Sequence, residues 1–151
     1  MIRFIQGNIF DSGCQALVNP VNCVGVMGKG LALQFKRRFP ANFEAYRDAC
    51  ARRAVRPGRC LVFDTGSDPT RFVVNFPTKR HWRDRSRIED IAAGLEDLAG
   101  ILLRGAISSV AIPPLGCGLG GLPWPRVRFL LVDRLAPCGR VSVVVHEPAR
   151  R

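Results

Sequence analysis

Residues 110–125 read VAIPPLGCGLGGLPWP, and no other stretch limits the fold as much. Val110, Ala111 and Ile112 are apolar and suit a short buried strand. Pro113 and Pro114 cannot donate to a ladder, so the strand has to stop there. Gly116, Gly118, Gly120 and Gly121 then crowd into six residues. Glycine costs conformational entropy, so this density at the mouth of a strand implies close approach to bare backbone. Pro123 fits the first position of a helix, where a missing N–H matters little. Trp124–Leu135 has helical spacing. A strand that turns through glycines into a helix aims backbone N–H groups and the positive end of a helix dipole at one point, which favours phosphate.

The rest of the chain repeats this alternation. Residues 1–6 alternate as a strand until Gly7-Asn8, and residues 16–19 form a second, short buried strand. Residues 31–38 and 40–53 have helical spacing. Residues 60–63 and 72–76 read as strands joined by the turn at 66–69. Ser86-Arg87-Ile88-Glu89 has the form of a capping box, ahead of an apolar stripe through Ile88, Ile91, Leu95, Leu98 and Leu102 that Gly105 ends. Residues 141–146 are the last strand. The order β-β-α-α-β-β-α-β-α-β, with nearly continuous apolar strands, predicts a three-layer α/β/α sandwich around a mixed, mostly parallel six-stranded sheet. Ligands of such sheets bind at the carboxyl ends of the strands. The length of 151 residues suits one domain over residues 1–151.

Composition narrows the chemistry. The formal charge is +11, from 23 basic and 12 acidic residues, which favours phosphate-rich partners. Only Lys29, Lys36 and Lys79 are lysines; the other 20 cations are arginines. The six cysteines form no CxxC pair, and His81 and His146 are far apart, so no metal is expected. Unclustered cysteines of this kind are expected to be reduced, and the chain to be cytoplasmic. No apolar run reaches the roughly 18–20 residues of a membrane span. The first residues lead directly into a strand, so no signal peptide is expected.

A second glycine-rich turn, residues 25–30, also follows a strand and opens a helix. Two such loops at strand carboxyl ends suit a diphosphate held from both sides. Neither fits G-x-x-x-x-G-K-[ST] or G-x-G-x-x-G, which argues against a P-loop kinase or a Rossmann dinucleotide site.

Gly7-Asn8-Ile9, Asn19-Pro20-Val21-Asn22, the loop at 25–30 and residues 114–121 together resemble the macrodomain, an ADP-ribose-binding α/β/α family. Asn75-Phe76-Pro77-Thr78-Lys79-Arg80-His81-Trp82 resembles its DarG antitoxin type, in the branch that includes the human terminal ADP-ribose protein glycohydrolase. The resemblance implies an ADP-ribosyl glycohydrolase that removes ADP-ribose from thymidine bases in single-stranded DNA, without a cofactor, opposing a cognate ADP-ribosyltransferase toxin. It implies that Asn8 and Ile9 receive the adenine and that Asn22 meets the distal ribose. It further implies that Gly25, Gly28, Lys29, Gly30 and the run Leu115, Gly116, Cys117, Gly118, Leu119, Gly120, Gly121 line the ADP-ribose. Asn8 replaces the aspartate usual in macrodomains. Gly120 stands where the human enzyme has an aspartate, so no lysine–aspartate pair is available from that loop. A monomer is expected.

Lys79 matches the catalytic lysine of the branch. Its chemistry is independent of the resemblance: a neutral amine can attack or deprotonate near an anomeric carbon, which arginine cannot do. A phosphate contact remains the alternative role. Arg80, His81, Trp82 and Arg83 interleave cations with an aromatic ring, as expected for a stacked base between phosphates. Trp124 is expected in the core. Three rival readings share parts of this pattern: a non-catalytic ADP-ribose module, a hydrolase of ADP-ribosylated acidic side chains in proteins, and a basic nucleic-acid-binding protein.

Overall fold

The computed structural model describes residues 1–149. The elements are β1 (Ile2–Ile5), a short 3₁₀ turn (Ile9–Asp11), β2 (Ala16–Val21), α1 (Gly30–Arg38), α2 (Pro40–Ala51), β3 (Leu61–Asp64), β4 (Phe72–Pro77), α3 (Ile88–Leu103), β5 (Ser109–Ile112), α4 (Trp124–Leu135) and β6 (Ser142–His146). This is the order expected from the apolar patterning. The six strands form one sheet in the order β1-β6-β5-β2-β4-β3. Every pairing is parallel except that of β3 with β4.

Strand alternation builds the three layers. On β5, Val110 and Ile112 face α3 and α4, while Ala111 faces the opposite side. The same split places Val143 and Val145 of β6 on the first face and Val144 on the second. Ile91, Leu95 and Leu98 of α3 and Val127 and Leu131 of α4 complete the larger core. Phe35 of α1 and Tyr46 of α2 anchor the other layer. Both are fully buried, and burying a side chain of this size stabilises by roughly 1.5–3 kcal/mol. Gly94 lets α3 lie directly on β4, because a side chain there would run into the Phe76 ring. Trp124 packs on this core with its ring edge-on to Phe4, as expected.

Buried amides tie α2 to the sheet. Asn75 of β4 accepts from Asn19 Nδ2 and Asn42 Nδ2, each at 3.1 Å, and donates to Asn42 Oδ1 at 2.8 Å. Asn42 and Asn75 thereby satisfy each other in the core, whereas Asn19 Oδ1 is buried without a hydrogen-bond partner among the described residues.

Two helix starts differ from expectation. Arg87, not Ser86, is the N-cap of α3, and it makes no side-chain cap. Ser86 is buried under the second glycine loop instead, so the capping box does not form. Pro123 is the N-cap of α4 rather than its first residue. Pro125 occupies the first turn, where the missing N–H matters as little. β2 also runs two residues past Asn19, to Val21, because its pairing with β4 continues to Val21 opposite Pro77.

Candidate active site

The site forms where the sheet splits. β2 pairs with β5 only at Ala16 and Leu17, although its pairing with β4 continues to its end. Beyond Leu17 the strands diverge. Pro20 on β2 and Pro113-Pro114 after β5 withhold the N–H groups a ladder would need. This is also where the strand order reverses, the usual place for a ligand crevice in an open α/β sheet. A cleft of about 900 Å³ opens there, with Pro20, Val21, Pro113 and Pro114 at its floor.

The first loop is folded by Asn22. Its Oδ1 accepts from the Val24 N–H at 3.0 Å, and its Nδ2 donates to the Val26 carbonyl at 2.8 Å. The hydroxyl of Tyr46 reaches the Asn22 carbonyl at 2.7 Å and Oδ1 at 2.8 Å. Burial raises the Tyr46 pKa, so the hydroxyl stays a donor. Asn22 lines the cleft, but most of its hydrogen-bonding capacity holds the loop. Gly28, Lys29 and Gly30 line the cleft with it. Lys29 is the N-cap of α1 and makes no side-chain cap. The first N–H groups of α1 therefore sit beside the cleft without a side-chain partner, where an anion suits them. Gly25 turns away, against Arg47 and Cys50 of α2.

The second loop presents Gly116, Gly118, Leu119 and Gly120 to the same cleft. Leu115, Cys117 and Gly121 are not among its walls. The Leu115 side chain is fully buried in the core. Cys117 packs against that core, and burial pushes its thiol up to about 11, so it is no thiolate nucleophile at neutral pH. Gly121 closes a turn by donating to the Gly118 carbonyl at 3.2 Å.

The segment from Thr78 to Ser86 bridges the two loops. The Thr78 N–H donates to the Val21 carbonyl at 2.8 Å, and the Cys23 N–H donates to the Arg80 carbonyl at 3.3 Å. At the other end, the Ser86 N–H donates to the Gly120 carbonyl at 3.0 Å. Lys79 thus stands between the loops, half-buried and lining the cleft. Among the described residues its ammonium makes no ion pair. Trp82 also lines the cleft and is 45% exposed, with the Arg83 guanidinium 4.6 Å from its ring centre.

Two of the expected nucleic-acid contacts have other partners. Arg80 does not line the cleft; its guanidinium is 3.2 Å from both oxygens of Asp90 on α3. His81 accepts the Arg83 N–H at 3.1 Å and shapes the turn. Asp84 and Arg85 also stand in the cleft wall.

Asn8 and Ile9 lie in an adjoining hollow of about 250 Å³ that shares Leu31, Pro113 and Pro114 with the cleft. Asn8 Oδ1 accepts the Phe10 N–H at 3.0 Å and so caps the 3₁₀ turn, with one lone pair left over. His146 also lines this hollow, and no motif pointed to it. Its Nδ1 is 3.1 Å from the Gly7 carbonyl, which can only accept, so that nitrogen carries the proton. Burial lowers the His146 pKa. The unfolded chain therefore takes up this proton first as pH falls, and the stability His146 contributes is complete above about pH 6.5 and declines below it. The urea midpoint is expected to drop between roughly pH 7 and 5. The drop should be smaller in His146→Asn; equal drops in the two proteins would assign the effect elsewhere.

The six cysteines are free thiols. Among the described residues there is no group of three or more His, Cys, Asp or Glu placed to hold a metal ion. Among them, too, no helix is long and apolar enough to cross a membrane.

A split parallel sheet with two glycine loops at its mouth defines an α/β domain whose cleft suits a phosphorylated ligand. The chain belongs to the Macro domain family, whose model matches residues 18–130. Over 98% of its length it is 50% identical to the DNA ADP-ribosyl glycohydrolase of Thermus aquaticus. It is 48% identical to that of Mycobacterium tuberculosis over 99%. It spans 41% and 43% of the length of those two proteins. Its fold matches the macrodomain of Mycobacterium tuberculosis DarG with a TM-score of 0.96, over 99% of each chain. The macrodomain of Thermus aquaticus DarG gives 0.93, over 98% of this chain and 99% of that one. Thermosipho africanus DarTG in complex with ADP-ribose is 34% identical, with a TM-score of 0.93 over 99% of this chain and 42% of that one.

Proposed function

We propose that this chain is an ADP-ribosyl glycohydrolase that removes ADP-ribose from thymidine bases in single-stranded DNA. It would act in the cytoplasm, as a monomeric macrodomain spanning residues 1–151, and oppose a DNA ADP-ribosyltransferase toxin. One observation carries the reading: Lys79 lines the same cleft as both glycine loops, beside an exposed Trp82. The loops and the N-terminus of α1 suit the diphosphate. The adjoining hollow with Asn8 and Ile9 suits the adenine. Lys79 then stands on the side of the distal ribose, and Trp82 with Arg83 offers a stacking surface for the base to which that ribose is joined. The names of the relatives favour DNA over protein as the substrate.

The test is incubation with ADP-ribosylated single-stranded oligonucleotide and, in parallel, ADP-ribosylated protein. Release of ADP-ribose from the oligonucleotide is expected. Release from protein alone would make the chain a protein-directed hydrolase, and binding without release would make it an ADP-ribose module. ADP-ribose should bind much more tightly than AMP, because only the former fills both loops and the lysine side; equal affinities by calorimetry would remove the diphosphate from the argument. Trp82→Ala should weaken the modified oligonucleotide by roughly 1–3 kcal/mol, the range for a stacked base. Its affinity should also fall with salt by about 0.7 log units per log unit for each phosphate contacted. Free ADP-ribose should respond less to salt. The same slope for both ligands would mean that the strand itself is not bound.

A further inference from the structure

Hydrolysis of an N-glycosidic bond needs a group that can carry a proton. The bond between the anomeric carbon and the base nitrogen breaks, and its electron pair leaves with the nitrogen. Water supplies the oxygen that ends on carbon and the hydrogen that ends on nitrogen. The charged side chains lining the cleft are Lys29, Lys79, Arg83, Asp84 and Arg85. Only one of these is a carboxylate; arginine does not give up its proton, and the Lys79 amine is the group placed to act at the sugar carbon itself. The second loop cannot supply another at position 120. A Cβ on Gly120 would lie 2.5 Å from the Gly116 carbonyl oxygen and inside van der Waals contact of Ser86 Oγ.

Asp84 is held over the cleft by its own turn, with its N–H donating to the His81 carbonyl at 3.0 Å. It is flanked by two arginines, yet neither pairs with it. The Arg83 guanidinium lies over the Trp82 ring, and the Arg85 guanidinium reaches the space that a side chain on Gly121 would begin to fill. Among the described residues the Asp84 carboxylate makes no ion pair. A free carboxylate on the wall of a phosphate-binding cleft repels the ligand, so binding alone does not explain it.

We propose that Asp84 is the proton carrier of the reaction, and this rests on the hydrolase reading above. Its carboxylate takes the proton from water as the oxygen bonds to the anomeric carbon, and returns it to the departing thymine nitrogen. Asp84 ends the cycle unchanged. If Lys79 first forms an adduct with the sugar, Asp84 passes the proton released by the attacking amine to the departing thymine nitrogen, and later passes the proton of water to the lysine nitrogen as the adduct breaks.

Asp84 is exposed, so its substitution leaves the fold in place. Asp84→Asn should bind ADP-ribose at least as tightly as the parent, since a repulsive charge is gone. Its turnover of ADP-ribosylated oligonucleotide should fall about 100-fold or more, within the range of general acid–base catalysis. Asp84→Glu should regain part of that rate. Turnover by Asp84→Asn above about a tenth of the parent rate, a difference under about 1.4 kcal/mol, overturns the assignment. So does a loss that merely follows weakened ADP-ribose binding. A parent that releases nothing from the oligonucleotide overturns the hydrolase reading itself, a failure distinct from either of these.

Discussion

Lys79→Arg is expected to bind ADP-ribose within about tenfold of the parent, about 1.4 kcal/mol, and to lose nearly all turnover. The substitution keeps a positive charge and most of the side chain's length. It removes the one amine between the two loops that can lose its proton. Lys79→Ala should behave in the same way toward ADP-ribosylated thymidine, with somewhat weaker binding. A side chain acting as a general base contributes about 10²–10⁴-fold, and a covalent role raises the deficit further. Rates of both variants on the modified oligonucleotide, with ADP-ribose calorimetry alongside, decide the point. If Lys79→Arg keeps more than about a tenth of the parent rate, Lys79 is an electrostatic contact and no more.

Gly120→Ala should cost the second loop its shape. The added methyl would meet the Gly116 carbonyl oxygen at 2.5 Å and crowd Ser86 from Oγ to Cβ. A backbone oxygen in a hydrogen-bonded turn cannot swing aside as a surface side chain can, and here the Gly116 carbonyl also accepts from the Leu122 N–H at 2.9 Å. The loop has to move outward, and overpacking of this kind costs roughly 1–3 kcal/mol. Because the Ser86 N–H hangs on the Gly120 carbonyl, the displacement also reaches the segment that carries Lys79. ADP-ribose affinity should fall about tenfold or more, with a smaller change in the urea midpoint than a core substitution produces. Unchanged affinity would show that the second loop tolerates a side chain and does not closely embrace the ligand.

Much of this was legible before any coordinates. The alternation of apolar strands and striped helices predicted the order of elements and the layers, because both depend on local periodicity. The two glycine loops announced the ligand cleft, because two such runs in matching positions after strands favour close backbone approach over ordinary tight turns. Lys79 stood out in a chain that otherwise writes nearly every cation as arginine. The mistakes fell where a residue's partner is distant in sequence. Ser86 has the spacing of a capping box, but the second loop, more than thirty residues on, recruits it as a buried support. The pairing of Arg80 with Asp90, 3.2 Å apart, was equally invisible to local pattern, although it leaves the guanidinium half exposed.

By itself the sequence determined the strands, the helices and the chemical types at the mouth of the sheet, since these follow from residue spacing, proline and glycine. Only the tertiary structure decided which of those residues share a cleft. Leu115, Cys117 and Gly121 belong to the right loop but are not among the cleft walls, because Leu115 and Cys117 pack against the core and Gly121 closes a turn on Gly118. Asn8 and Ile9 fall into a separate hollow beside His146, a residue brought there from the far end of the chain by the pairing of β6 with β1. Asp84 reached the cleft wall with an unpaired carboxylate because Trp82 and the second loop drew away the arginines on either side of it. No local pattern encodes a competition of that kind, since its outcome depends on which surfaces the fold has already placed within reach.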